Sequence, residues 1–348
     1  MIENHTNMKY KLLSVNTDYP TNIGDYIQAL AASQFLPSMD GFVNREEIAQ
    51  YDGEECVIIM NGWFMIFPDN WPPSKNIHPI FLSFHMNRMA KEKMLTHPSI
   101  TYLKAHEPIG CRDRYTVNLL KQKGIDSWFT GCLTLTLGNK YASMGKKEHV
   151  YFVDPCIPNA TRQDRVKRAV TFLSHPFVVY KLSKKLHNQD NHDSLKIRIS
   201  RSSQFFRFYS IIFTKDCLEN AVFLTHEYTN DSIMSDEERM NEAERLIRMY
   251  AQAKFVVTSR IHCALPCLGL QTPAYFTQGN SYDEISSCRF DGLTELFNKM
   301  TFTSDSIVCD FNYVGKLSES NIVENKKTWE PLAKALATQC TEYICNFT

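Results

Sequence analysis

Two doubly wound α/β domains are what this sequence predicts, and three observations carry that expectation. Short apolar runs of strand length alternate with longer segments of helical period, the pattern of parallel sheets joined by crossover helices. The alternation comes in two sets, divided near residue 145. They give an N-terminal Rossmann-like domain over 1–145 and a C-terminal one over 146–348. Polar and cationic side chains recur where the apolar runs stop, and in open α/β sheets ligands bind beyond those carboxyl ends.

The elements follow in order. "YKLLSV" (10–15) reads as a strand, and a helix is predicted from about Gly24 to Phe35. "CVIIM" (56–60) and "IFLSF" (80–84) read as buried strands. "RYTVNLLKQKG" (114–124) reads as a helix that stops at Gly124, and "WFTGCLTLTL" (128–137) as a strand region. "HVYFV" (149–153) and "AVFLTH" (221–226) are the next strands. A long helix, 235–253, opens with Ser235 as N-cap and Glu238 three residues on, a capping box. "FVVTS" (255–259) and "PAYF" (273–276) complete the alternation. Pro266 would cost the intervening helix one hydrogen bond outside its first turn, so that helix is expected to begin later than Arg260.

Composition narrows the function classes. Apolar residues make up 43% of the 348, enough for real cores, and Lys+Arg equals Asp+Glu at 38 each. With zero net charge, anion recognition has to be local, and nothing points to nucleic acid. Eleven cysteines, none in a CxxC pair, several inside apolar runs, argue against a zinc or thioredoxin-like site and for a reducing compartment. No signal-peptide pattern or membrane-spanning run is visible. The "NHT", "NAT", "NDS" and "NFT" triplets are therefore read as chance matches.

Candidate site residues sit at the strand ends. "VVTSRIHC" places Ser259, Arg260 and His262 after an apolar run and before a helix, whose N–H groups and dipole favour an anion. "TNIGDY" offers Asn22, Gly24 and Asp25: Gly24 for close backbone approach, Asp25 as a base. A capped helix start, with Thr21 or Asn22 as N-cap and Asp25 on the dipole, explains them equally well. "GCRDRY" offers Arg112 and Arg114, whose guanidinium forks suit carboxylate or phosphate, or a surface ion pair with Asp113 or Glu107. Asn61, His85, His226 and Glu227 close three further strands. Residues 175–215 form a basic, aromatic insertion: eight Lys or Arg from Lys181 to Lys215 face only Asp190 and Asp193, with Phe177, Tyr180, Phe205, Phe206, Phe208 and Tyr209 interleaved.

"TNIGDYIQALAA", "GCRDRYTVNLLKQKGI" and "VVTSRIHCALPCLGLQTPAYF", in that order, resemble the polysaccharide pyruvyl transferase family. "NGWFM" and "FLSFHM" look like its bacterial capsule and exopolysaccharide branch, and the likeness covers roughly residues 10–300. Many members carry Asp-Pro where this chain reads "TGCLTLTL", so no role of that aspartate carries over. The resemblance implies a GT-B-like fold with the site in an interdomain cleft, Asn22, Asp25 and Arg112 on the acceptor-side domain and Arg260 and His262 on the other. It implies transfer of pyruvate from phosphoenolpyruvate to two hydroxyls of a sugar, a galactose-type residue of a capsule or exopolysaccharide precursor, as a ketal with release of phosphate. Phosphoenolpyruvate is then a co-substrate, and neither cofactor nor metal is required.

On that reading Arg112 and Arg260 clamp the donor, His262 is the acid near its switching pH, and Asp25 is the base, although the last two are exchangeable. A lipid-diphosphate-linked acceptor would place the protein in the cytoplasm, against the inner membrane surface through segment 175–215. A GT-B glycosyltransferase using a nucleotide sugar, to which "LGLQTPAYF" also conforms, and a non-catalytic sugar-binding protein are the alternatives.

Overall fold

The computed structural model describes residues 8–17, 19–143, 145–158, 161, 164–186, 193–228, 235–279 and 288–347. The four Asn-x-Ser/Thr triplets lie wholly or partly outside them. The fold is α/β, and its main sheets are parallel. Lys9–Tyr10, Cys56–Ile59 and Ile77–Ile80 form one three-stranded parallel sheet. Gly62–Phe64, Phe84–Met86, Ile109–Cys111 and Ser127–Phe129 form a four-stranded one. The largest sheet has the order Val222–Leu224, His149–Val153, Ala253–Thr258, Ala274–Gly279, Asn298–Phe302 and Ile307–Cys309, parallel except for the last strand.

That order contains the feature that positions the site. From His149–Val153 the chain goes first to the strand on one side, Val222–Leu224, and then to the strand on the other, Ala253–Thr258. The strand order therefore reverses between His149–Val153 and Ala253–Thr258, and a crevice opens beyond their carboxyl ends. Asp154 follows the first strand and Ser259-Arg260 the second.

The Ile23–Ser33 helix joins the early part of the chain to this sheet. Asn22 caps it by accepting from the Gly24 N–H at 3.0 Å. Thr21–Asn22 pairs antiparallel with Glu227–Tyr228, and the Ile23 N–H donates to the His226 carbonyl at 2.8 Å. Its buried face, including Ile27, Leu30 and Ala31, packs on the Asp236–Ala251 helix in a core that also holds Val57, Val153, Leu246 and Val256. Arg239 fastens the contact by donating to the Val15 carbonyl, Asn16 and the Tyr26 hydroxyl. The Ser235–Glu238 capping box is formed as the spacing predicts.

Three elements differ from expectation, while the helix after Ser259 begins later than Arg260, as expected. "YKLLSV" is two short strands, Lys9–Tyr10 and Leu12–Ser14, in separate sheets, and "IFLSF" ends one strand at Ile80 and begins another at Phe84. "CLTLTL" is not a strand: Leu133–Leu137 is a 3-10 turn with all five residues buried. Its Leu/Thr alternation has no solvent side, so period two carries no information there. Backbone packs directly on backbone at this point, since a Cβ on Gly138 would lie 1.9 Å from the Gly269 carbonyl oxygen. The helix after Ser259 starts at Ile261 and runs through Pro266. Every residue of that helix is buried, and this burial outweighs the roughly 3 kcal/mol that an interior proline costs.

Segment 175–215 is mainly two helices, Pro176–Lys185 and Leu195–Ile212. Phe205, Phe206, Phe208 and Tyr209 lie in the core under the large sheet. Several of its cations are occupied: Arg198 donates to the Ser183 carbonyl, Arg207 pairs with Asp164 and Asp305, and Lys185 donates to the carbonyls of Glu219 and Ala221. Among the described residues no helix is long and apolar enough to cross a membrane.

Candidate active site

A cleft of about 220 Å³ lies at the crevice, lined by Asn22, Asp25, Arg45, Trp63, Arg112, His226, Ser259, Arg260, His262 and Arg289 among others. Seven side chains named from the sequence thus converge: Asn22, Asp25, Arg112, His226, Ser259, Arg260 and His262. They come from the cap and first turn of the first helix, the end of strand Ile109–Cys111, the end of Val222–Leu224, and the loop after Ala253–Thr258 with the helix that begins at Ile261. A second cavity of about 610 Å³ adjoins it, sharing Pro20, Ser259 and Arg260, and is lined further by Asp154, Glu227, Tyr228 and Arg245.

Arg112 is buried, 1% exposed, at the base of the cleft. Its Nη1 donates to Gln28 Oε1 at 3.3 Å and to His262 Nε2 at 3.4 Å. Among the described residues its Nε has no hydrogen-bond partner, and the nearest acceptor charge is Asp113 at 3.9 Å. A buried, unpartnered guanidinium donor is costly, and an anion entering the cleft would satisfy it. Arg114, by contrast, points away to an exposed pair with Glu295.

A guanidinium only donates, so His262 Nε2 is the acceptor of that contact and the single ring proton sits on Nδ1. Burial, and then the charges of Arg112, His226, Arg289 and Arg45, hold the His262 ring well below its ordinary value of 6.5. His262 is therefore a neutral imidazole, not a group at its switching pH as its residue type suggests. Gly24 faces it from the first helix: a Cβ there would lie 3.0 Å from His262 Nδ1. The close approach expected of Gly24 is thus made by the His262 ring.

Arg260 is held on two sides. Nε donates to Asp154 at 2.8 Å and Nη2 pairs with Glu227 at 2.7 Å. Asp154 also accepts from the His226 N–H at 2.9 Å, while its carbonyl accepts from the Ser259 hydroxyl at 2.6 Å. Its backbone is left-handed, φ 40°, a conformation that short polar residues tolerate better than most. Asp25 pairs with Arg45 at 3.1 Å and accepts from Gln28 at 3.3 Å, and Arg45 also holds Glu46. His226 Nε2 shares a hydrogen bond with the Tyr250 hydroxyl at 2.8 Å.

Two residues named from the sequence stand outside the cleft, one step behind Arg112. Asn61 Nδ2 donates to the Gln28 carbonyl at 2.8 Å, while Gln28 in turn receives Arg112. His85 is buried against Asp113 at 2.5 Å, and burial pushes its ring below the usual value. Burial alone would raise the Asp113 carboxyl, but His85 and Arg112 outweigh it and hold it low. Neutral His85 thus donates to an ionised Asp113, which also caps its helix through the Thr116 N–H at 2.9 Å. Glu227 is mostly exposed and belongs to the second cavity.

Sequence reasoning missed Arg45, Asp154 and Arg289. Asp154 had a signal, an acidic residue directly after strand "HVYFV" and before Pro155; Arg45 and Arg289 had none. Among the described residues no trio of His, Cys, Asp or Glu is placed to hold a metal ion.

A sequence profile described as polysaccharide pyruvyl transferase matches residues 22–277. The chain belongs to that family. The matched span runs from the cap of the first helix to the strand after the Ser-Arg-x-His helix, so it contains every cleft residue named here except Arg289 and those before Asn22. As a polysaccharide pyruvyl transferase family member the chain is a transferase. Neither the curated proteins nor the solved structures offer a significant match.

Proposed function

We propose that the 220 Å³ cleft binds phosphoenolpyruvate and that the protein transfers its pyruvyl group to two hydroxyls of a sugar, a galactose-type residue of a capsule or exopolysaccharide precursor. The observation that carries this reading is the charge of the lining: four arginines against one carboxylate, Asp25, in a chain of zero net charge. A small, multiply anionic donor complements such a lining, and the unpartnered Nε of Arg112 is a donor for it. The larger cavity beyond Arg260, with Tyr228, Glu227 and Asp154 on its walls, supports a place for the acceptor. Residues 15–112 and 226–289 meet around the cleft, and one core runs across residue 145, from Ile27 and Val57 to Val153 and Val256. The abundance of free cysteines supports a cytoplasmic setting.

The donor brings negative charge to this arginine-rich lining, which raises His262 toward protonation. Protonated His262 gives its proton to the methylene carbon of the enol, leaving an oxocarbenium-like centre. An acceptor hydroxyl attacks that centre and loses its proton to Asp25. Phosphate then departs with a proton, and the second hydroxyl closes the ketal. Balance requires two protons from the two hydroxyls, one ending on carbon and one on phosphate. Incubation with phosphoenolpyruvate and a galactoside, followed by assay of phosphate, tests the reading. Release that depends on the acceptor is expected; turnover of a nucleotide sugar in its place would overturn it.

A further inference from the structure

The Asp164–Ser174 and Pro176–Lys185 helices form an outer layer over the Leu195–Ile212 helix. Their inner side is accounted for: Val178, Val179 and Leu182 are in the core, with Phe172 against it. Their outer side is apolar as well. Val166, Val170 and Leu173 follow at intervals of four and three residues on the first of these helices, Phe177 stands in the first turn of the second, and they are 70%, 55%, 76% and 88% exposed. Exposed Tyr180 continues the ridge. A solvated helix face carries polar residues at these positions, so a second apolar face calls for something to cover it.

The charges beside the ridge indicate what that is. Residues 164–186 carry six cations, Arg165, Lys167, Arg168, Lys181, Lys184 and Lys185, and a single acid, Asp164, which is buried against Arg207. Lys185 is held by backbone carbonyls, Lys167 is paired with Asp305 and the exposed Lys181 with Glu219 at 3.6 Å, while Arg165 and Lys184 are also exposed. An apolar ridge fringed by lysine and arginine fits the boundary between anionic headgroups and acyl chains. A second copy of the same face would set these cations against their own kind.

We propose that this helical layer, through Val166, Val170, Leu173 and Phe177 with its basic fringe, lies on an anionic bilayer surface. The location differs from the one residue types suggest, because the aromatics at 205–209 are core and the ridge begins before residue 175. Lys185 and Leu186, at the end of the same layer, line the 610 Å³ cavity, so a sugar carried on a membrane lipid would be delivered beside it. That last consequence rests on the proposed function; bilayer binding does not.

Flotation of the full chain with vesicles tests the proposal. Wild type is expected to float with vesicles of equal parts phosphatidylglycerol and phosphatidylcholine, to ignore pure phosphatidylcholine, and to release as salt rises. Leu173→Ser with Phe177→Ser, and separately Arg165→Gln with Lys181→Gln and Lys184→Gln, should each weaken partitioning at least about tenfold. Both variants alter exposed side chains, so their melting temperatures should match wild type. Each should also keep transfer to a soluble acceptor, if the proposed reaction holds. Failure of wild type to float, or equal flotation of all three proteins, overturns the proposal. So does a wild-type dimer, by light scattering, that the Leu173→Ser, Phe177→Ser variant dissolves, because a second copy would then cover the ridge.

Discussion

Gly24→Ala separates the site from the fold with the smallest possible change. Gly24 lies in the first turn of a regular helix, so alanine suits its backbone and would, by itself, stabilise the helix by roughly 0.5–1 kcal/mol. The added methyl would stand 3.0 Å from His262 Nδ1, 3.2 Å from its Cβ and 3.0 Å from Asn22 Oδ1, where ordinary contact begins at 3.4 Å. The ring or the helix must therefore give by about 0.4 Å. The helix is pinned by Asn22, Tyr26 and Arg239, so His262 takes much of the shift. A misplacement of about 1 Å at a reacting group costs about 10²-fold in rate. On that scale the turnover number should fall about five- to tenfold, with melting within a few degrees of wild type. Steady-state phosphate release and thermal melting on the same preparation measure both. Wild-type turnover, or a loss that only follows the folded fraction, would refute the placement of His262 against the first helix as catalytically relevant.

Other perturbations follow from the same geometry. Arg112→Ala and Arg260→Ala each remove charge-assisted contacts worth about 1.5–3 kcal/mol, so kcat/KM should fall by at least about tenfold in a folded protein, read by kinetics and circular dichroism. His262→Gln keeps a donor but cannot cycle a proton, and its turnover should drop about 10²–10⁴-fold with a smaller change in donor affinity. Because burial and the nearby arginines hold His262 well below 6.5, donor binding near neutral pH should take up a proton, and affinity should weaken as pH rises. Calorimetry in two buffers of different ionisation enthalpy should show that uptake in wild type and not in His262→Gln. His85 is likewise depressed in the folded state, so the unfolded chain binds the proton first and stability is lost as pH falls below about 6.5. Melting from pH 7 to 5 should decline less steeply in His85→Gln.

What the sequence determined by itself was local. The capping box at Ser235, the cap at Asn22, the strand before Ser259 and the stop at Gly124 all rest on residues within a few positions of one another, and all are present. Strand-end placement also singled out Arg112, Arg260 and His262, because an open parallel sheet gathers its carboxyl ends on one side. The tertiary structure decided the rest, through contacts that no local pattern encodes. Arg260 meets Asp154 across 106 residues of chain, and Arg112 meets His262 across 150. Residue type suggests a histidine near its switching pH; burial, with Arg112, Arg289 and Arg45 nearby, makes it neutral. Aromatic spacing in 205–209 does not distinguish membrane from core, and only the sheet packed above those rings settles that they are core. Charge state and exposure depend on everything that surrounds a side chain, and in this fold most of that comes from far along the chain.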